Sequence, residues 1–360
     1  MEELVNLTSQ TLGADSYRDK RILVTGHTGF KGYWLSRFLV LLGAEVHGLA
    51  LTPKEHSLSF REPRIGLQSN TLLDLRDYAA LKRYFSELAF DGIFHLAAQP
   101  LVLDSYRFPR ETFEVNTQGT ANLLDAVFRS KNNSWILAVT TDKVYRNEEK
   151  VEGYREDEPL GGTDPYSASK SAMEMVINAW QTIAKLEARN MQIIATRAGN
   201  VIGGGDVSKD RLLPDLIRSF VSGKPAVIRN PNAIRPWQHV LDPISGYMMI
   251  GEQLIQGKKL SSSFNFGPTE LSKISVSEVA TLASNIWPNS PKHVIVTSAN
   301  QAPESQLLWL NSDKARIELG WENKLSAQEA ISWTIEWELN TQSGMVLEST
   351  DKQIQRFLDL

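Results

Sequence analysis

Arg21-Ile22-Leu23-Val24-Thr25 is an apolar, strand-prone run that feeds straight into a turn carrying glycines at Gly26, Gly29 and Gly32. From Tyr33 to Leu42 apolar residues recur at helical spacing, which predicts a helix with Trp34, Leu35, Phe38, Leu39 and Leu42 turned inward. Strand, glycine turn and helix in that order leave few folds open. Gly26 permits the tight turn, Gly29 lets the backbone approach a diphosphate, and Gly32 lets helix and strand pack closely, while the helix N-terminus offers N–H groups to an anion. The spacing is G-x-x-G-x-x-G rather than G-x-G-x-x-G.

The alternation continues. Short apolar runs at Arg21–Thr25, Glu45–Ala50, Gly92–Leu96, Trp135–Thr140 and Gln192–Thr196 predict strands separated by helices, hence βαβ units and an α/β fold: a Rossmann-type parallel sheet flanked by helices. Ligand loops in such sheets lie at the carboxyl ends of the strands. The distinctive strings fall there: Gly26 to Gly32, Ala97 to Val102, Thr140 to Lys143 and Ala198 to Gly205. After Gly199 the pattern turns irregular and rich in Gly, Pro and Asn, with helices expected near Leu212–Ser222, Pro243–Gln256, Val276–Ile286 and Ala327–Glu338. The expected division is an N-terminal extension (1–19), a dinucleotide-binding domain (20–198), a smaller substrate-binding lobe (199–345) and a C-terminal tail (346–360).

With 360 residues, 42% hydrophobic and 22% charged, the chain suits one large or two interlocked globular domains. A net charge of -4 with dispersed Lys and Arg gives no electrostatic case for nucleic acid. The absence of cysteine excludes disulfides, zinc–thiolate sites and thiol nucleophiles, and the six histidines show no metal-ligand spacing. No apolar run approaches the ~20 residues that span a bilayer, so a soluble cytoplasmic protein is expected.

Tyr166 and Lys170, in Pro165-Tyr166-Ser167-Ala168-Ser169-Lys170, stand one helical turn apart on one face, which sets an ammonium beside a phenol. A fixed positive charge favours the phenolate and brings proton abstraction from an alcohol within reach near neutrality. Alone the pair is a common helix-surface pattern; with the glycine turn and Thr140-Thr141-Asp142-Lys143 it is a candidate alcohol-oxidation site.

In this order, these motifs resemble the extended short-chain dehydrogenase/reductase family, in its nucleotide-sugar branch. Gly26-His27-Thr28-Gly29-Phe30-Lys31-Gly32, His95-Leu96-Ala97-Ala98-Gln99-Pro100-Leu101-Val102, Arg197-Ala198-Gly199-Asn200-Val201-Ile202-Gly203-Gly204-Gly205-Asp206 and Arg235-Pro236-Trp237-Gln238-His239-Val240 look like the CDP-glucose 4,6-dehydratase group of that branch. The resemblance runs from about Arg18 to about Asn340 and is densest before Asp242.

That resemblance implies an internal redox reaction on CDP-glucose in deoxysugar biosynthesis for surface polysaccharide. Tyr166 would take the 4-hydroxyl proton, Lys170 would lower the tyrosine pKa and hold the nicotinamide ribose, and Thr141 would hydrogen-bond the 4-oxygen. Asp142 is expected as the acid for the 6-hydroxyl, which requires that it keep its proton near neutrality. Lys143 stands where dTDP-glucose dehydratases carry glutamate. It can take the C5 proton only if burial or nearby cations depress its pKa from about 10.4, and the alternative is electrostatic stabilisation of the enolate. Thr141-Asp142-Lys143-Val144-Tyr145 replaces the family's Ser-Asp-Lys-Cys-Tyr without losing a needed group.

For the cofactor the resemblance implies Gly26, Thr28, Gly29, Phe30, Lys31, Gly32, Asp74, Leu75, Ala97, Ala98, Gln99 and Asn116, with Tyr166 and Lys170. For the substrate it implies Gln99, Asn200, Arg211 and Arg235, the guanidinium groups suiting a diphosphate. Asn116 could equally cap the following helix, and Asp74 and Leu75 could simply precede a cap at Asp77. The acidic residue that selects NAD at the end of the second strand is missing, and Lys54, Arg61 and Arg64 could meet a phosphate, so NAD rests on resemblance alone. A homodimer is implied through helices Thr112–Arg129 and Ser167–Ala184. Ala302-Pro303-Glu304-Ser305-Gln306 replaces a more His-rich family string and bears on hexose and base selection. The rival readings are a nucleotide-sugar 4-epimerase, which needs no acid–base pair aimed at C5 and C6, and a catalytically silent nucleotide-binding scaffold.

Overall fold

The computed structural model describes residues 14–130, 133–150, 152–228, 230–269, 272–291, 294–295 and 308–360. The string at 302–306 lies outside them. Seven parallel strands form the central sheet: β1 (Arg21–Thr25), β2 (Glu45–Ala50), β3 (Ser69–Leu72), β4 (Gly92–His95), β5 (Trp135–Val139), β6 (Ile193–Ala198) and β7 (Ser263–Phe266), in the order β7-β6-β5-β4-β1-β2-β3. In register, Thr25 faces Leu49 on one side and His95 on the other, and Ser263 faces Ala195. The order reverses between β1 and β4, and a crevice opens beyond the strand ends at such a switch point.

Alternating side chains put two cores on the two faces of this sheet. Leu23, Ile93 and Ile136 pack with Leu81, Leu123 and Met173 from helices α2 (Tyr78–Glu87), α3 (Gly119–Arg129) and α4 (Pro165–Leu186). On the other face Ile22, Val24 and Phe94 pack with Trp34 and Phe38 of α1 (Phe30–Leu41) and with Ile244, Tyr247 and Met248 of α6 (Leu241–Ile255). A third core joins α5 (Leu212–Ser222), α7 (Val276–Ile286) and α8 (Ala327–Thr341) through Leu213, Phe220, Val279, Ala283 and Ile331. Trp34, Leu35, Phe38, Leu39 and Leu42 are all buried, as their spacing predicts.

Three boundaries differ from the sequence reading. Residues 346–360 are no tail: helix α9 (Val346–Leu358) buries Ile354 and Phe357 in the main core, and Asp351 takes two hydrogen bonds of 2.6 Å from Arg37 on α1. Within the expected N-terminal extension, Tyr17 is buried and its hydroxyl donates to the Met248 carbonyl at 2.8 Å. The expected helix at 112–129 is a Pro109–Phe113 helix, a π-helical turn at Glu114–Gln118 and then α3. Because the main core combines Ile22 and Val24 with Phe264, Trp337 and Phe357, the two halves interlock around one interior.

Candidate active site

The glycine turn after β1 is positioned by backbone. Gly26 has φ +73°, a left-handed conformation, and a Cβ there would sit 2.7 Å from the Ala97 nitrogen; a Cβ on Gly32 would sit 2.2 Å from the Gly26 carbonyl oxygen. Gly29 is the N-cap of α1 and leaves the first helical N–H groups uncovered. Thr28 donates to the Leu51 carbonyl at 3.2 Å and ties the turn to the end of β2. This cradle fits a dinucleotide diphosphate. Phe30 is half-buried and packs on the main core, close to Gly203, rather than outward.

Across the crevice Ala97 donates to the Thr25 hydroxyl at 3.2 Å and continues into a loop organised by the π turn. Asn116 sits inside that turn, so it caps no helix. Its amide bridges the Gln99 N–H (2.8 Å), the Gln99 carbonyl (3.1 Å) and the Ser169 hydroxyl of α4 (2.9 Å). Insertions of this kind are frequent at functional sites. The Gln99 side chain bonds the Leu101 N–H and carbonyl and Thr112, which fixes its own loop, where Ala98 is half-buried. Asp77 is the cap of α2, accepting from the Ala80 N–H, while Asp74 is gripped by Arg76 and Leu75 packs under Gly119. His95 is buried between the hydroxyls of Thr25 and Thr120, a packed residue as its strand-end position suggests.

The catalytic candidates converge where β5 ends. Thr141 caps a single 3-10 turn, and its hydroxyl donates to Asp142 Oδ1 at 2.9 Å; Lys143 Nζ lies 3.2 Å from that same oxygen. Asp142 is 1% exposed, and its Oδ2, against Gly199, has no hydrogen-bond partner among the described residues. Tyr166 is buried in the first turn of α4, where Asp164 caps the helix and Ser105 accepts from the Tyr166 N–H at 3.1 Å. Burial pushes the phenol up, while the Lys143 charge, the Thr141 hydroxyl and the Arg211 charge pull it down and Asp142 opposes them.

The two lysines of the cluster sit in different surroundings. Lys170 donates to the Val139 carbonyl at 3.1 Å; burial and the Lys31 charge bring it down to about 7, against the support of Glu174. Among the charges acting on Tyr166, that of Lys143, four residues past β5, favours the phenolate most. Burial also depresses Lys143, but Asp142 and Tyr166 outweigh it and leave its pKa above the ordinary lysine value, so it rests as an ammonium.

Lys31, brought down to about 8 by burial and by Arg211, also feels Asp142, Asp206 and Lys143 and so faces this cluster. Arg211 is held 3.1 Å from Asp206, and the Arg235 charge acts on Lys143. Asn200 has φ +49°, an uncommon conformation that asparagine tolerates better than most. Sequence reading quoted Thr140, Arg197 and Asp206 only inside longer strings, without a role of their own, and missed Glu174. The signals were an arginine inside a buried strand and a glutamate one turn past Lys170.

Residues 23–334 match the model of the GDP-mannose 4,6 dehydratase family. The chain is 40% identical over 327 residues to a CDP-glucose 4,6-dehydratase of Salmonella typhimurium, covering 89% of this chain and 91% of that one. The fold is similar to that of an epimerase from Methanothermobacter thermautotrophicus (TM-score 0.79, 23% identity, 92% and 95% of the two chains). It is also similar to dTDP-glucose 4,6-dehydratase from Bacillus anthracis, solved in complex with NAD (TM-score 0.73, 20% identity, 90% and 98%). With its parallel sheet, glycine cradle and Thr141-Asp142-Lys143/Tyr166 cluster, the chain belongs to the nucleotide-sugar 4,6-dehydratases of the extended short-chain dehydrogenase/reductase family.

Proposed function

We propose that this chain converts CDP-glucose to CDP-4-dehydro-6-deoxy-glucose with NAD as a regenerated cofactor. The observation that carries the reading is the buried Thr141-Asp142-Lys143 turn beside Tyr166, in a chain so similar to a CDP-glucose 4,6-dehydratase. NAD, when bound, supplies a hydride acceptor for C4 and a donor for C6; the Gly26–Gly32 turn and the start of α1 hold its diphosphate.

Tyr166 takes the proton of the 4-hydroxyl, and Thr141 hydrogen-bonds the same oxygen. The 4-ketone then acidifies the C5–H bond. Asp142 presents Oδ2, its unpartnered oxygen, to the 6-hydroxyl and protonates it as water leaves. Lys143 starts as an ammonium bonded to Asp142; with its pKa raised it becomes the C5 base only by handing that proton to Asp142, and otherwise its charge stabilises the enolate. The pair thus ends the step as it began. Asn200, Arg211 and Arg235 hold the substrate diphosphate. An epimerase has no use for this coupled pair.

The enzyme acts as a cytoplasmic homodimer in surface-polysaccharide synthesis on this reading. Pairing through α4 and the 109–129 segment is supported by Met175 (61% exposed) and Phe113 (39% exposed). Mass spectrometry of products from a panel of nucleotide hexoses tests the reaction: CDP-glucose loses the mass of one water with no net reduced cofactor. Unchanged mass with inverted C4 would make the enzyme an epimerase.

A further inference from the structure

Beneath the catalytic turn runs a buried polar chain that the reaction itself does not use. Glu174, 2% exposed and one turn past Lys170 on α4, receives Arg197 of β6 at 2.8 Å and 2.5 Å through two nitrogens, and the Thr140 hydroxyl at 2.6 Å. Arg197 continues to the Tyr145 hydroxyl at 2.5 Å, which donates to Asn265 of β7 at 2.8 Å. Thr140 immediately precedes the Thr141-Asp142-Lys143 turn and Tyr145 follows Val144 just past it, so both ends of the turn are bonded into one network with the helix that carries Tyr166 and Lys170.

We infer that Glu174, Arg197 and Thr140 are positioning residues that hold the Thr141-Asp142-Lys143 turn in register with Tyr166 and Lys170; the inference rests on the dehydratase reading above. A buried ion pair adds little net stability over well-packed apolar side chains of the same size. What it supplies here is direction: bidentate guanidinium–carboxylate geometry fixes three backbone segments at once, which an apolar contact does not. Glu174 also favours the charged form of Lys170, against the Lys31 charge from α1, while neutral His95 faces Lys170 from β4. Misplacement of reacting groups by an ångström costs on the order of a hundredfold in rate, so the network acts on turnover more than on binding.

The test uses full-length protein with NAD and nucleotide sugar. Glu174→Gln lowers kcat roughly ten- to a hundredfold with KM held within about twofold, and moves the alkaline limb of the rate profile to lower pH. Thr140→Val, which keeps the ion pair, lowers kcat by roughly threefold to tenfold, while Thr140→Ser stays near wild type. The double variant Thr140→Val/Glu174→Gln is no slower than Glu174→Gln alone, because both break one network. The inference is overturned if the losses fall in KM, if they multiply in the double variant, or if only the melting temperature moves. Should Glu174→Gln fail to fold, the Thr140→Val and Thr140→Ser pair decides. Wild type run alongside separates the two readings: if it removes no water from CDP-glucose, the dehydratase assignment fails, and the variants are still ranked by hydride transfer from whichever sugar wild type oxidises.

Discussion

A methyl group added at Gly32 would meet the Gly26 carbonyl oxygen at 2.2 Å, whereas the turn at Thr141-Asp142-Lys143 is held by side chains arriving from α4, β6 and β7. The first region works by backbone shape and needs only small residues at fixed spacing. The second depends on charges drawn from segments far apart in sequence, such as Arg211 and Arg235, which act on Tyr166 and Lys143. A cofactor shared by many reactions can be gripped by a shape common to many folds. The step that distinguishes dehydration from epimerisation needs groups specific to this site. Damage to the two regions should therefore look different.

The largest loss is expected at Tyr166. Tyr166→Phe removes the only group assigned to the 4-hydroxyl proton and should lower C4 oxidation by about 10² to 10⁴, with no early absorbance of reduced cofactor in single turnover. Asp142→Asn should oxidise C4 at near the normal rate and slow water loss by roughly 10², accumulating reduced cofactor and a 4-keto sugar with its C6 oxygen intact. If it is blocked at the same step as Tyr166→Phe, or dehydrates normally, Asp142 is not the acid. Lys143→Ala should also stop after oxidation and exchange no deuterium at C5. Because Lys143 is the main charge lowering the Tyr166 pKa, it should in addition move the pH dependence of C4 oxidation upward. Unchanged oxidation pH dependence with normal C5 exchange would remove Lys143 from both roles.

The backbone region breaks otherwise. Gly32→Ala crowds the strand–helix junction and should cost about 1–3 kcal/mol, read as a lower melting temperature together with weaker NAD binding. The partial reactions should then fall together rather than separate. A variant that binds NAD normally yet fails at one chemical step would erase the distinction between the regions.

That distinction also explains how much was legible in the sequence. Strands β1 and β2 and helix α5 fall where periodicity puts them, because burial on a sheet or helix face imprints a repeat. Strand β3, Ser69-Asn70-Thr71-Leu72, is missed because it is polar and alternately half-exposed at the sheet edge. Strand β7 is missed because it is short and carries Asn265, whose buried amide is satisfied by Tyr145, the Tyr154 carbonyl and the Asn311 carbonyl, partners no local pattern announces. Helix α9 was within reach: Val346, Thr350, Ile354 and Phe357 form one buried stripe. In the site, the Tyr166/Lys170 spacing is readable, but the placing of a second ammonium, Lys143, beside Tyr166 is not. It follows from the Val139 carbonyl capturing one ammonium and the Asp142 carboxylate placing the other. Glu174 and Arg197 were written in the sequence as charges on otherwise buried faces, and only the fold shows that they meet.

The smallest effect lies between the two regions, at the start of α6. Asp242 is fully buried; its Oδ1 accepts from the Lys324 N–H at 2.7 Å, and burial lifts its pKa to about 7 despite the backbone N–H groups of Lys324 and Leu325 and the Lys324 charge. An unfolded aspartate ionises near 3.9, so between these values the folded state holds a proton that the unfolded state has lost. The contribution of this group to stability should therefore be greatest below about pH 4, fall by about 1.4 kcal/mol per pH unit toward pH 7, and level off above it. Asp242→Asn keeps the carbonyl acceptor and removes the titration, so its melting temperature should change less between pH 6 and pH 7 than that of wild type, by about 1–2 °C for a chain of 360 residues. Its kcat profile should match wild type, since Asp242 touches neither the glycine turn nor the Thr141 cluster. If the kcat profile shifts with the melting curve, α6 transmits its ionisation to the catalytic turn, and stability and chemistry are not separable in the way the two regions suggest.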